Sequence, residues 1–190
     1  MEPACGCGAF LLYIFDVLFE LYSKTGKYTP ESICKYIIED NLYGIDIDSE
    51  SIQMCKYLLT IKMFKKTGRL FSFKYNLFIR DFLKQSLVDD YSFNLIIGNP
   101  PYFENRNINK YYDKNFLKIN YTTAVGRFDI YSLFIEKSIL LLQEKGILSF
   151  VVPGNLLSNN NFSGTRKYIL DNSNISNIIN LGEDIFQSVA

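Results

Sequence analysis

Apolar residues recur at helical spacing from Ala9 to about Ser23, and Thr29-Pro30-Glu31 then offers an N-cap with proline at the first helical position. A second helix is therefore predicted to about Asp40. Leu42-Tyr43-Gly44-Ile45-Asp46-Ile47 reads as a short buried strand ending in acid, and Asp48-Ser49 caps a helix over about Glu50 to Lys65. Leu70 to Ile79 alternates enough to be a strand closing at Arg80-Asp81. Phe93 to Gly98 is another, running straight into Asn99-Pro100-Pro101-Tyr102. Phe103 to Gly126 is polar, rich in Asn and Lys and weakly periodic, which predicts a long loop of the kind that carries function or disorder. Phe128 to Glu144 patterns as an amphipathic helix ended by Lys145-Gly146, and Ile147 to Val152 as a buried strand stopped by Pro153. Ser163 to about Asp171 reads as a short helix and Ile175 to Leu181 as a last strand. Helix-like and strand-like segments alternate without an internal repeat, the signature of an α/β chain with a mostly parallel sheet.

Composition narrows the chemistry. The 190 residues hold 20 Lys+Arg against 20 Asp+Glu, with 48% apolar residues, which describes one globular domain able to bury a core without staples. The chain has no His, so His-dependent triads, His general bases and His-containing zinc sites are excluded. Zero formal charge argues against a purely electrostatic grip on nucleic acid but leaves room for a local basic face. The longest apolar runs are too short to cross a bilayer and the N-terminus lacks a signal pattern, so a cytoplasmic protein is expected, with no membrane partner. Cys5, Cys7, Cys34 and Cys55 lack the paired short spacings of a zinc knuckle and read as reduced thiols, with no metal ligand among them.

Three features fall at the ends of predicted strands, where an open α/β sheet places its ligands. Glu2-Pro3-Ala4-Cys5-Gly6-Cys7-Gly8-Ala9 is a Gly-x-Gly turn opening a helix, and its glycines let backbone N–H groups approach a ligand. Asp46 ends the next strand and is suited to accept hydrogen bonds from two ribose hydroxyls. Asp81 ends the strand after that. Each alone is a common helix-entry turn or N-cap, but their order is what a nucleoside-bearing cofactor requires. The absence of a Lys after the glycines argues against a nucleotide triphosphate.

Asn99-Pro100-Pro101-Tyr102 carries the most information. Two prolines fix φ and remove two donors, so the carbonyls there are rigidly presented. The Asn side-chain oxygen beside such a carbonyl makes a pair of acceptors suited to an exocyclic NH2 group. Holding both N–H bonds out of the ring plane frees the nitrogen lone pair, and such a site works without a general base. Tyr102 is placed to stack on the heterocycle. X-Pro-Pro is also a common way to end a strand.

Together with Ile45-Asp46, Asp81 and a late Gly182-Glu183…Phe186, these motifs resemble the ordered motifs of adenine-N6 DNA methyltransferases. The TaqI-like enzymes of type II and type IIG restriction–modification systems are the most similar group. The resemblance runs over nearly the whole chain, through Gly126-Arg127-Phe128-Asp129-Ile130-Tyr131 and Phe150-Val151-Val152-Pro153. It implies a Rossmann-like, doubly wound fold that binds S-adenosylmethionine at the Gly6/Gly8 loop together with Glu2 and Ala4. Asp46 would hold the ribose, Ile47 would flank the cofactor's adenine, and Asp81 would hydrogen-bond to it. It further implies double-stranded DNA as partner, with a flipped target adenine held by Asn99 and Pro100, with Pro101 beside them, and stacked by Tyr102 and Phe186.

The family places a buried strand before the glycine loop and a target-recognition domain after the core. The chain begins at Met1-Glu2 and ends at Ala190, so a catalytic-core fragment is expected, with strand edges left unpaired where the first strand is missing. As an isolated chain it could be inactive. Lys62, Lys65, Lys66, Arg69, Lys74, Arg80 and Lys84 read as a solvated face. Arg106, Lys110, Lys114 and Lys118, interleaved with Tyr111, Tyr112 and Tyr121 in the loop at 103–127, are better placed to contact DNA. The same amine-holding tetrapeptide also occurs in methyltransferases of RNA or of protein glutamine, and a noncatalytic remnant is a further alternative.

Overall fold

The computed structural model describes residues 1–84, 92–102 and 108–182. The chain divides into two compact units, Met1–Pro101 with Leu140–Val151, and Tyr102–Ile139 with Val152–Ala190.

In the first unit, α1 (Ala9–Lys24) leaves a left-handed Gly8 and buries Leu11 and Phe15. α2 (Pro30–Tyr36) starts where proline allows, and the Thr29 hydroxyl accepts from the Ser32 N–H at 3.2 Å. It widens into a π-helical turn over Ile37–Asn41. The buried Asn76 amide stitches that turn to the sheet, donating to the Glu39 carbonyl at 2.8 Å. β1 is Tyr43–Asp46. α3 (Ser49–Thr67) is capped by the Asp48 carboxylate, which accepts from Glu50 and Ser51, and it stops at Gly68 in the left-handed region. Hydrogen bonds from the Ser51 hydroxyl, then from the Ser51 and Glu50 N–H groups, keep the Asp48 carboxyl below the usual carboxylate range. The three helices close over a core that includes Leu11, Phe15, Ile33, Ile37, Leu59 and Met63. Burying each such side chain is worth about 2 kcal/mol, so this core rather than helix propensity holds the unit.

β2 (Asn76–Ile79) pairs in parallel with β1, Tyr43 opposite Asn76 and Asp46 opposite Ile79. β3 (Phe93–Gly98) pairs in parallel with β4 (Leu142–Phe150). The two pairs are joined through the first residues of the chain. Glu2 N–H donates to the Tyr43 carbonyl at 2.9 Å and the Glu2 carbonyl accepts from Ile45 at 3.0 Å. On the other side Met1 N donates to the Leu95 carbonyl at 2.8 Å and the Met1 carbonyl accepts from Ile97 at 3.0 Å. The order is therefore β2, β1, Met1–Glu2, β3, β4, with the reversal of direction at Met1–Glu2, the switch point of a doubly wound sheet. The unpaired edges expected of β1 and β3 are thus occupied at these positions.

The second unit holds α4 (Lys114–Asn120) and α5 (Ile130–Leu140, all but its last residue) and, after β4, a short helix α6 (Asn155–Ser158) and a 3₁₀ turn at Asn160–Phe162 that lead into α7 (Ser163–Asn172). The buried Glu136 carboxylate ties down the chain before α5, accepting from Thr122 N–H, the Thr122 hydroxyl and Thr123 N–H at 2.8, 2.9 and 2.7 Å.

Four sequence expectations need correction. The loop predicted over Phe103–Gly126 contains α4, which Asp113 caps and which buries Leu117. The strand predicted over Leu70–Ile79 is confined to Asn76–Ile79, the residues that meet β1. The helix predicted to Glu144 ends at Leu140, because Leu141 and Leu142 already pair with Phe93. The register then jumps to Leu95 opposite Ile147, and Lys145 at φ 64° turns the extra residues out as a bulge. Ile175–Leu181 forms no strand, since among the described residues no strand pairs with it, and Ile179 is 76% exposed. No helix among the described residues is long and apolar enough to cross a membrane.

Candidate functional site

Parallel strands put their C-terminal ends on one side, and in the first unit that side gathers Glu2, Asp46, the residues after β2 and those after β3. The glycine turn is locked to this edge. Cys5 N–H donates to the Ile45 carbonyl at 2.9 Å, Gly8 N–H to the Cys5 carbonyl at 2.8 Å, and Gly6 N–H to Asp46 Oδ2 at 2.7 Å. Gly6 and Gly8 both have positive φ, 49° and 84°. At Gly8 a side chain is excluded twice over, because a Cβ there would stand 2.3 Å from Cys55 Sγ.

Asp46 Oδ1 accepts from the Asp48 N–H at 3.0 Å. Each carboxylate oxygen therefore spends one acceptor position on backbone and keeps another, which suits a pair of adjacent hydroxyls. The Arg80 N–H donates to the Asp46 carbonyl at 2.7 Å, bringing Asp81 to the same edge. Asp81 Oδ1 accepts from Leu83 N–H at 3.0 Å, and Oδ2 lies 3.4 Å from Lys84 Nζ. Ile47 is exposed, Ala4 half-buried and Pro3 buried.

Glu2 is 2% exposed and, among the described residues, its Oε2 has no hydrogen-bond partner. Burial pushes its carboxyl up to about 8, with the Cys55 and Asp46 side chains adding to the rise and a backbone hydrogen bond from Leu11 opposing it. A buried oxygen without a partner costs about 1–3 kcal/mol, so its persistence beside a glycine turn fits a polar ligand group. Gly98 lies close by, where a Cβ would stand 3.3 Å from Glu2 Cγ. Behind the turn, Cys5 and Cys55 share a hydrogen bond that raises the Cys5 thiol and lowers that of Cys55. All four cysteines are free, and no metal-binding cluster occurs among the described residues.

β3 delivers Asn99, which is exposed, and Pro100, which is buried, with Pro101 half-buried. The Gly98 carbonyl accepts from Val151 N–H at 3.0 Å, so the last residue before the tetrapeptide is fixed to β4. The first unit thus brings together Glu2, Ala4, Gly6, Gly8, Asp46, Ile47, Asp81 and Asn99 to Pro101 at one sheet edge.

The second unit holds Tyr102. Its ring meets Tyr131 edge-on, centroids 6.1 Å apart at 84°, and Tyr131 in turn lies 5.5 Å from the Phe162 ring. The Tyr131 hydroxyl donates to Asn155 Oδ1 at 3.2 Å. Burial, then the Asp129 carboxylate, push both tyrosine hydroxyls up. Tyr131 and Asp129 entered the sequence reading only within a longer motif; the signal available was an acid just ahead of an apolar helix. Cys55 and Gly98 carried no signal, because their closeness to Gly8 and Glu2 is tertiary. In the segment at 103–127, Tyr111 is exposed but Tyr121 is buried, which removes Tyr121 from any strand-binding surface. Arg106 and Phe186 lie outside the described residues.

The model of the Eco57I restriction-modification methylase family matches residues 40–186. The chain is 28% identical, over 95% of its length, to the type II restriction enzyme and methyltransferase RM.Eco57I of Escherichia coli, of which it covers 22%. It is 27% identical, again over 95% of its length, to the type II methyltransferase M.BstVI of Geobacillus stearothermophilus, of which it covers 33%. The chain thus spans between about a fifth and a third of the length of these relatives. Among solved structures, a Listeria monocytogenes protein described as a class I S-adenosylmethionine-dependent methyltransferase superposes with a TM-score of 0.59 at 20% identity. That match covers 90% of this chain and 43% of the other, and it shows a shared fold.

Proposed function

The chain belongs to the Eco57I restriction-modification methylase family, and from that premise we propose that it is the catalytic core of an enzyme that methylates the N6 amine of adenine in DNA, with S-adenosylmethionine as methyl donor. The observation that carries this reading is the half-used Asp46 carboxylate beside the Gly6–Gly8 turn, at the same edge as the unpartnered Glu2 oxygen and Asn99-Pro100. Bound S-adenosylmethionine supplies a methyl group on a sulfonium, an electrophile that needs no acid catalyst.

The residues present fit that cofactor. Asp46 has one acceptor position per oxygen left for two ribose hydroxyls, and the turn offers close backbone approach where side chains are excluded. Glu2 offers a buried carboxyl whose charged form a cationic ligand would favour. Ile47 and Asp81 serve the cofactor's adenine, and Ala4 lines the turn.

On the substrate side, the Asn99 side-chain oxygen and the Pro100 carbonyl accept the two N–H bonds of the adenine amine, with Pro101 keeping the backbone rigid. Drawing both protons out of the ring plane withdraws the lone pair from the ring and makes nitrogen the nucleophile. The C–S bond of the sulfonium breaks as the N–C bond forms, and the methylated nitrogen then releases its surplus proton to water, which suits a chain without His. Tyr102 stacks on the flipped base, its ring backed by Tyr131. Lys110, Lys114 and Lys118, with Tyr111, contact the DNA backbone.

The test is transfer of a radiolabelled methyl group to duplex DNA, followed by nucleoside analysis. Label in N6-methyladenine supports the reading. Asn99→Ala is expected to lower turnover by about 10²–10³ while the cofactor still raises the melting midpoint. Asp46→Ala is expected to abolish that midpoint shift. Label only in RNA or in a peptide glutamine would overturn DNA as substrate, and a midpoint indifferent to the cofactor would overturn the cofactor.

A further inference from the structure

α3 carries two apolar stripes. Ile52, Cys55, Leu59 and Met63 form the buried one. Met54, Tyr57, Ile61 and Phe64, spaced three, four and three residues apart, are 48, 56, 50 and 48% exposed. At about 100° per residue the two stripes point about 170° apart, so the exposed one is no fringe of the core. Single exposed apolar residues are ordinary, but four in a row along one helix face mark a contact surface. Their spacing is that of alternating a and d positions, the seam onto which another helix packs.

We propose that this seam pairs with itself, α3 of a second copy lying antiparallel on α3 to give a twofold dimer. Antiparallel pairing about a point between Tyr57 and Ile61 sets Met54 against Phe64 and Tyr57 against Ile61, each twice. The charges agree with that register. Glu50 stands one turn before Met54, while Lys65 and Arg69 follow Phe64, so Glu50 meets the turn bearing Lys65 and Arg69 of the second copy. Parallel pairing would oppose like charges instead. Among the described residues, none of these three side chains makes an ion pair, whereas Lys62 and Lys66, which face α1, are engaged by Asp16. Half of four large side chains from each copy amounts to about 800 Å², which the flanking Gln53, Leu58 and Lys65 raise toward the roughly 1,200 Å² of the smallest specific interfaces. The dimer is therefore weak, with dissociation in the range of about 1–100 µM.

Sedimentation equilibrium of the chain between about 1 and 200 µM tests this. The expected result is a concentration-dependent dimer that Ile61→Lys abolishes without moving the melting midpoint, with Tyr57→Glu as a second variant should the first unfold. Glu50→Lys is expected to weaken the dimer about tenfold, and adding Lys65→Glu and Arg69→Glu to restore it. A chain monomeric throughout overturns the proposal. So does a dimer that survives both seam variants, which uses another surface, or one that charge reversal fails to rescue, which is not in this register.

Discussion

Replacing Gly8 by Ala probes the glycine turn most sharply. Gly8 sits at φ 84°, and an added Cβ would stand 2.3 Å from Cys55 Sγ and 3.3 Å from Cys55 Cβ. Left-handed backbone costs an alanine about 1 kcal/mol, and forcing a methyl into a packed site costs about 1–3 kcal/mol more. Cys55 is fully buried, so its sulfur cannot swing into solvent to relieve the overlap. Gly6 is the internal control. It too has positive φ, 49°, but nothing lies within 4 Å of its would-be Cβ. Gly6→Ala should cost about 1 kcal/mol and Gly8→Ala about 2–4 kcal/mol, read from urea unfolding. Cys55→Ala removes the obstructing sulfur, so the double variant Gly8→Ala/Cys55→Ala should be more stable than the sum of its parts by at least about 1 kcal/mol. Equal losses for the two glycine variants, or strict additivity in the double, would refute the idea that Cys55 is what forbids a side chain at Gly8.

Two further outcomes follow from buried carboxyls. Glu2 is raised from 4.5 to about 8, mainly by burial, so the unfolded chain ionises there well before the native one. Its contribution is fully present below about pH 4.5 and is lost as pH rises towards about 8, by up to about 5 kcal/mol, and Glu2→Gln should flatten that slope in urea melts at about pH 4 and about pH 9. Glu136→Ala strands the Thr122 and Thr123 N–H groups and should cost about 3 kcal/mol in thermal unfolding. A loss below about 1 kcal/mol would mean that water replaces the carboxylate.

Local chemistry made the helices legible. Thr29-Pro30 and Asp48 start α2 and α3 where the sequence says, and the apolar spacing of Leu11 and Phe15 marks α1. What escaped depended on a neighbour. Leu70–Tyr75 and Ile175–Leu181 alternate like strands, but strand formation needs a partner edge, and only Asn76–Ile79 finds one at β1. Leu141 and Leu142 continue a helical apolar pattern yet pair with Phe93, and that pairing outweighs helix propensity. α4 hid behind Lys114 and Lys118, its burial resting on Leu117. The site was legible as residue types in order, Gly6, Gly8, Asp46, Asp81 and Asn99. The Gly6–Asp46 hydrogen bond, the unpartnered Glu2 oxygen and the sulfur behind Gly8 were not, because each arises from residues about 40 positions apart or from burial itself.

β1 and β3 share no ladder among the described residues, and four hydrogen bonds through Met1 and Glu2 span the gap between them. Those two residues act as a keystone, and the chain that leaves them runs directly into the turn at Gly6 and Gly8. A molecule resting on that turn braces the joint it springs from. Occupancy of the turn and cohesion of the sheet are therefore coupled, so that a molecule bound at the turn is expected to stiffen the middle of the first unit.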